Sequence, residues 1–222
     1  MTGLIFKSTQ LESSQHRSSP HKISYPDTPP VLVHGLEPDV EHTNVTDAPS
    51  SYRTGMTALV VAIPEAEPVV GLWRERYDRS AAAGVHAHIT VLFPFLDVDR
   101  IDAAVMDELA RLFAAHRKLV VEFRRTARWP SMLYLPPEPA DPLSRLTADV
   151  IARWPDCLPY GGKYVDTSPH LTVAIHQPDP ILDQVDKDLA HRLPFSAAIT
   201  SIDLVAFEDD AWHRHRSFEL GQ

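Results

Sequence analysis

His88-Ile89-Thr90-Val91 and His170-Leu171-Thr172-Val173 are the two stretches on which the reading of this chain turns. In each, a histidine and a threonine stand two residues apart, with aliphatic residues between and after them. Successive side chains of a β-strand point to opposite faces, so the histidine and threonine share one face and the aliphatics the other. Each stretch therefore offers an imidazole and a hydroxyl side by side on a rigid element. Two such strands facing each other would supply two acid/base groups and two neutral hydrogen-bond donors. That equipment suits in-line displacement at phosphorus without a metal. One bare His-x-Thr is expected by chance in a chain of this composition, whereas two copies flanked by aliphatics are not. The competing structural reading is two strands that each carry a satisfied histidine and a β-forming threonine.

Outward from the two stretches the chain is regular from Met56 onward. Residues 58–63 form a short apolar run ending at Pro64, read as a strand. Residues 65–80 have helical periodicity, with Val69, Leu72, Trp73 and Tyr77 on one face. Gly84 precedes the strand 86–93, which ends at Pro94. Residues 99–116 give the clearest helix, with an Asp at its start and one apolar stripe. Strands are expected over 118–127 and 132–135, then a helix over 142–154 and a Pro/Gly-rich loop from Pro155 to Gly162. The second motif strand covers 170–175, followed by a helix over 180–192. Strands over 195–207 and 212–220 close the chain around the turn Glu208-Asp209-Asp210. The order of elements repeats, and the His-x-Thr strand holds the same place in each half. That order suggests an internal duplication, with two lobes that set the two strings across a shared cleft.

Residues 1–55 are rich in Ser, Thr, Pro and His and lack periodicity, so they are expected to be a disordered tail. Met56 directly precedes the first strand and is a candidate initiator. The domain is thus expected to span 56–222. The 222 residues are 44% apolar and carry a formal net charge of −9. That balance argues against long nucleic acid, which needs clustered Lys and Arg, but not against a small nucleotide or an RNA 3′ end in a local cleft. Cys157 is the single cysteine, so neither an intramolecular disulfide nor a cysteine zinc framework is available. It reads as a buried structural thiol. No apolar run is long enough to cross a membrane and no signal pattern opens the chain, so a cytoplasmic monomer is expected.

The motifs and their flanks, from His86 to Phe95 and from Ser168 to Val173, resemble the two-histidine (2H) phosphoesterase superfamily. That group includes the 2′-5′ RNA ligase-like proteins and RNA cyclic phosphodiesterases. The resemblance covers about residues 56–222. It implies an α+β, bilobal, pseudo-symmetric fold, with two antiparallel-rich sheets flanking a central cleft and helices outside. It also implies hydrolysis, or reversible ligation, of 2′,3′-cyclic or 2′-5′ phosphodiesters with no cofactor or metal, with His88, Thr90, His170 and Thr172 as the catalytic set.

Other residues compete for roles. His86 shares a face with His88 and Thr90 and is a candidate for the cleft mouth. His86, His88 and His170 also make a conceivable zinc set, although zinc does not demand a threonine beside each histidine. Tyr160 and Tyr164 precede the second motif and can stack on a base; Tyr164 is taken as a substrate contact. Arg128, in the cluster with Arg124 and Arg125, is a candidate phosphate contact. Arg214 and Arg216 are expected to share a face with Trp212, Phe218 and Leu220. Trp73, Trp129 and Trp154 are expected in packing roles. A phosphodiesterase for cyclic di- or oligonucleotides and a catalytically silent nucleotide-binding module are the alternatives.

Overall fold

Alternating burial along the motif strands shows how the sheet is built. In β1 (Thr57–Ala62), Leu59 and Val61 are buried in the main core, while Ala58 and Val60 belong to a second apolar cluster on the opposite face. In β2 (His88–Leu92), Ile89 and Val91 join the main core. In β6 (Leu171–Ile175), Leu171 and Val173 do the same. Period-two patterning thus assigns one sheet face to the core and leaves the other to the motif polar groups. The computed structural model describes residues 52–164 and 167–222.

The remaining named elements, in chain order, begin with the helices α1 (Glu67–Tyr77), α2 (Arg79–Ala82) and α3 (Ala103–Ala114). Strands β3 (Leu119–Phe123), β4 (Ala127–Trp129) and β5 (Met132–Leu135) come next, then α4 (Asp141–Arg153). After β6 come α5 (Asp179–Leu189), β7 (Phe195–Ile199), β8 (Ser201–Glu208) and β9 (Ala211–Glu219). Seven strands form one sheet in the order β4-β5-β6-β2-β1-β8-β9, and β3 pairs with β7 in a second sheet. All of these pairings are antiparallel. The architecture is α+β.

The expected repeat is visible in this order. The units β1–α1–β2 and β5–α4–β6 are each a strand, a helix and an antiparallel neighbour that carries the motif. The final strands of each half then cross over. β4 of the first half pairs with β5 of the second, β8 of the second pairs with β1 of the first, and β3 pairs with β7. The two flanks meet through a single pair, Ile89 opposite Leu171, the residues that follow the two histidines. The two expected sheets are therefore the two flanks of one sheet, joined where the motifs touch.

Three details differ from the sequence reading. The run 195–207 is not one strand: it breaks at Thr200, sending β7 to β3 and β8 to β1. On α1, Leu72 is 71% exposed, while Arg74 is 1% exposed. Arg74 is buried because it pairs with Asp78 one turn later, a contact that apolar periodicity cannot register. The folded region also begins ahead of Met56. Gly55 N–H donates to the Phe207 carbonyl, Arg53 holds Asp97 through both carboxylate oxygens at 2.6 and 2.8 Å, and Tyr52 packs on Phe93, Phe207 and Trp212. Residues 52–55 thus belong with the domain. The rest of the expected tail lies outside the described residues. Among the described residues, no helix is long and apolar enough to cross a membrane.

Candidate active site

The register through Ile89 and Leu171 puts the motif residues on one face of two adjacent strands. With antiparallel pairing centred there, His88 stands across from Thr172 and Thr90 across from His170. All four side chains line one cavity of about 640 Å³. All four are half-buried, at the floor of a cleft rather than in the core.

Each histidine is held in the same way. His88 Nδ1 donates to the His86 carbonyl at 2.8 Å, and His170 Nδ1 donates to the Ser168 carbonyl at 2.8 Å. A carbonyl oxygen can only accept, so Nδ1 carries the hydrogen in both rings and Nε2 is the nitrogen whose protonation can change. The same bond fixes ring orientation, as a general acid or base requires. His86 contributes through this backbone carbonyl. Its own ring is 87% exposed, lies 3.5 Å from Glu67 and does not line the cavity. Among the described residues, no group of three or more His, Cys, Asp or Glu is placed to share a metal ion.

The two histidines have different walls. Beside His88 lies a buried ion pair: Arg74 bonds Asp78 Oδ2 through Nε at 3.1 Å and Nη2 at 2.9 Å. Arg74 also donates to Ser80 Oγ at 3.2 Å and to the Val85 carbonyl at 3.3 Å. Asp78 Oδ1 accepts from the Ser80 amide and hydroxyl, which caps the short helix α2. Desolvation, and then the Arg74 charge, push the His88 imidazole down to about 4; Asp78, the His86 carbonyl bond and His170 act with smaller weight. Neutral His88 is therefore the form at neutral pH. His170 instead meets two aromatic rings edge-on, Trp129 at 4.8 Å and Tyr134 at 5.6 Å between centroids.

Tyr160 reaches the site from the loop before the second motif. Its backbone is left-handed (φ 51°, ψ 31°), a conformation that costs an L-residue with a Cβ about 1–2 kcal/mol. Gly161 and Gly162 continue the turn at φ 65° and 77°, where glycine carries no such penalty. The Tyr160 amide donates to the Phe93 carbonyl at 2.6 Å, tying the loop to the end of β2. Its phenol is hydrogen-bonded with the Thr90 hydroxyl, and burial raises its pKa, so it stays a neutral O–H. Tyr164 also lines the cavity and packs edge-on against Tyr160 at 5.6 Å, while remaining 52% exposed.

Arg128 is placed elsewhere. Its guanidinium holds Asp183 at 2.6 Å and Asp186 at 3.1 Å on α5, and it is not among the residues lining the cleft. Arg124 is likewise paired, with Glu122 and Glu138. Trp129 is a cleft wall rather than a packing residue, whereas Trp154 packs edge-on against Phe95 in the core. Cys157 is half-buried, with its thiol pKa raised by burial, and lies outside the cleft. Sequence reasoning missed Asp78, Arg74 and the roles of Trp129 and Tyr134. The one signal for the first pair was a charged residue on the inward face of α1.

A family model described as the 2′-5′ RNA ligase superfamily matches residues 63–211, well over half of the chain. The chain belongs to this superfamily. No curated protein sequence matches it. Among solved structures, E. coli LigT complexed with 3′-AMP superposes with a TM-score of 0.52 at 16% identity, covering 77% of this chain and all of that one. The apo form of E. coli LigT gives a TM-score of 0.50 at 17% identity, with the same coverage. At these identities the likeness speaks for the fold.

Proposed function

We propose that the chain is a metal-independent phosphodiesterase that hydrolyses 2′,3′-cyclic phosphate or 2′-5′ phosphodiester bonds in small nucleotides or RNA 3′ ends. One observation carries this reading: two histidines on one cleft floor, each locked by an Nδ1–H···O=C bond of 2.8 Å and each beside a motif threonine. Membership of the 2′-5′ RNA ligase superfamily supports the reaction class. The fold relative seen with 3′-AMP supports a small nucleotide. Both histidines come from one chain, which suits a monomer acting in the cytoplasm.

The roles follow from the walls. His88 is neutral and takes a proton from water at Nε2 as the water oxygen attacks phosphorus. His170 gives a proton from Nε2 to the ribose oxygen as the P–O bond breaks. Thr90 and Thr172 donate to the non-bridging oxygens, where charge builds. The bound phosphate raises the His88 pKa toward working pH, because an anion favours the protonated imidazole. Ligation is the same path reversed, with the histidines exchanging roles.

The test is hydrolysis of 2′,3′-cyclic mononucleotides in EDTA by wild type, His88→Ala and His170→Ala. Turnover that persists in EDTA and falls by about 10²–10⁴ in each variant is expected, the usual worth of one acid or base group. Turnover lost in EDTA and restored by zinc, or undiminished in either variant, refutes the reading.

A further inference from the structure

A motif threonine helps at phosphorus only if its hydroxyl hydrogen points at a phosphate oxygen, and a hydroxyl is a rotor. It carries one hydrogen and two lone pairs and turns to suit its neighbours. A threonine can give that hydrogen to a nearby backbone carbonyl, and then it offers the phosphate nothing.

The loop before β6 brings a partner that holds the Thr90 rotor. Tyr160 lines the cleft together with Thr90 and His170. The same three residues line an adjoining cavity of about 10 Å³, with Thr147 of α4 and Ser168. That is the room of one water, so the phenol has no second pocket there to swing into. Two contacts clamp Tyr160 to the motif strand: its amide on the Phe93 carbonyl at 2.6 Å, and its phenol on the Thr90 hydroxyl. The left-handed backbone at this position would suit a glycine, like Gly161 and Gly162 after it, yet a tyrosine stands there. Non-glycine residues held in that region cluster at functional sites.

The direction of the bond follows from acidity. Of two touching hydroxyls, the phenol is the stronger donor and the aliphatic oxygen the better acceptor. The Tyr160 O–H therefore donates to Thr90 Oγ1, which occupies one lone pair and leaves the Thr90 hydrogen to the cleft. Accepting that bond also polarises the threonine hydroxyl and strengthens the bond that it gives.

We propose that Tyr160 is a positioning residue acting through Thr90: its phenol donates to Thr90 Oγ1 and so aims the Thr90 hydroxyl hydrogen at a non-bridging oxygen in the transition state. The group that Thr90 addresses rests on the phosphodiesterase reading above.

The test is a double-mutant cycle of wild type, Tyr160→Phe, Thr90→Val and the double variant. It reads kcat and KM on 2′,3′-cyclic mononucleotides, and affinity for the uridine–vanadate complex, whose five-coordinate vanadium mimics the transition state. Tyr160→Phe is expected to lower kcat and weaken vanadate binding by about 5–10-fold, the worth of one net hydrogen bond, with KM little changed. Thr90→Val is expected to lower kcat by about 10²–10³-fold. In the double variant, Tyr160→Phe should cost nothing further, because the hydroxyl that it aims is gone. A phenol that merely packs the loop, or that touches substrate itself, gives a loss that multiplies with that of Thr90→Val, and this overturns the proposal. So do unchanged kcat and vanadate affinity in Tyr160→Phe. Coupling seen in the vanadate cycle of a protein that turns over no phosphodiester sustains the positioning role and refutes the phosphodiesterase reading.

Discussion

The surroundings of His88 and of His170 differ although the motifs match. Both rings are locked to a carbonyl two residues upstream, both stand beside a threonine, and both follow a strand–helix unit of the same topology. Past that shared frame, His88 faces the buried Arg74–Asp78 pair and His170 faces Trp129 and Tyr134. The repeated strand–helix–strand unit supplies two like-placed imidazoles; their neighbours make them unequal. Burial, and then the Arg74 charge, favour a neutral ring at His88, whereas the neighbours of His170 named here are aromatic edges.

The sharpest way to break this contrast is a substrate whose leaving group needs no proton. With a p-nitrophenyl phosphodiester, His88→Ala is expected to lose about 10²–10⁴-fold in kcat, while His170→Ala keeps most of its activity. Equal losses would show that the two sides are interchangeable. Next comes the ion pair. Asp78→Ala leaves buried Arg74 with the more distant Glu67 carboxylate at 3.9 Å in place of its bonded partner and is expected to destabilise the fold by about 3 kcal/mol, read as a lowered midpoint in urea unfolding. Arg128→Ala, which breaks a surface pair, is expected to cost about 0–1 kcal/mol in the same assay.

Smaller effects sharpen the picture. Tyr160→Phe removes the phenol that meets Thr90 and is expected to lower kcat about 5–10-fold with KM little changed. A KM effect alone would make Tyr160 a binding residue. The pH profile carries the smallest signal. His88 titrates near 4 in the folded protein against 6.5 in an unperturbed histidine, so the acidic limb of kcat/KM should lie well below pH 6.5. The sign for stability follows. The unfolded chain binds this proton first as pH falls below 6.5, so the His88 contribution is intact above that value and is lost as pH drops toward 4. His88→Ala should flatten that part of the stability curve.

Much of the fold was legible because its signals are local. Period-two alternation assigned β2 and β6 and the faces of their histidines, and the repeated order of elements foretold the two strand–helix–strand units. The expected parity of Trp212, Arg214, Arg216 and Phe218 failed for one physical reason. A bulge in β9 sets Arg214 opposite Val205 and Arg216 opposite Leu204, so His215 is an extra residue. The alternation flips there, sending Trp212 to the cleft-face cluster and Phe218 to the main core. Arg128 failed for another reason: its partners Asp183 and Asp186 are more than fifty residues away on α5.

By itself, the sequence determined the two His-x-Thr pairs, their strand setting and the family, because two-residue spacing fixes which side chains share a face regardless of context. Only the tertiary structure decided what surrounds each pair. The pairing of Ile89 with Leu171 brought the motifs together, burial and then the Arg74 charge lowered the His88 pKa, and the β9 bulge turned Trp212 onto the cleft face. These are long-range contacts, and field, burial and register are properties of what the folded chain packs beside a residue rather than of its neighbours in sequence.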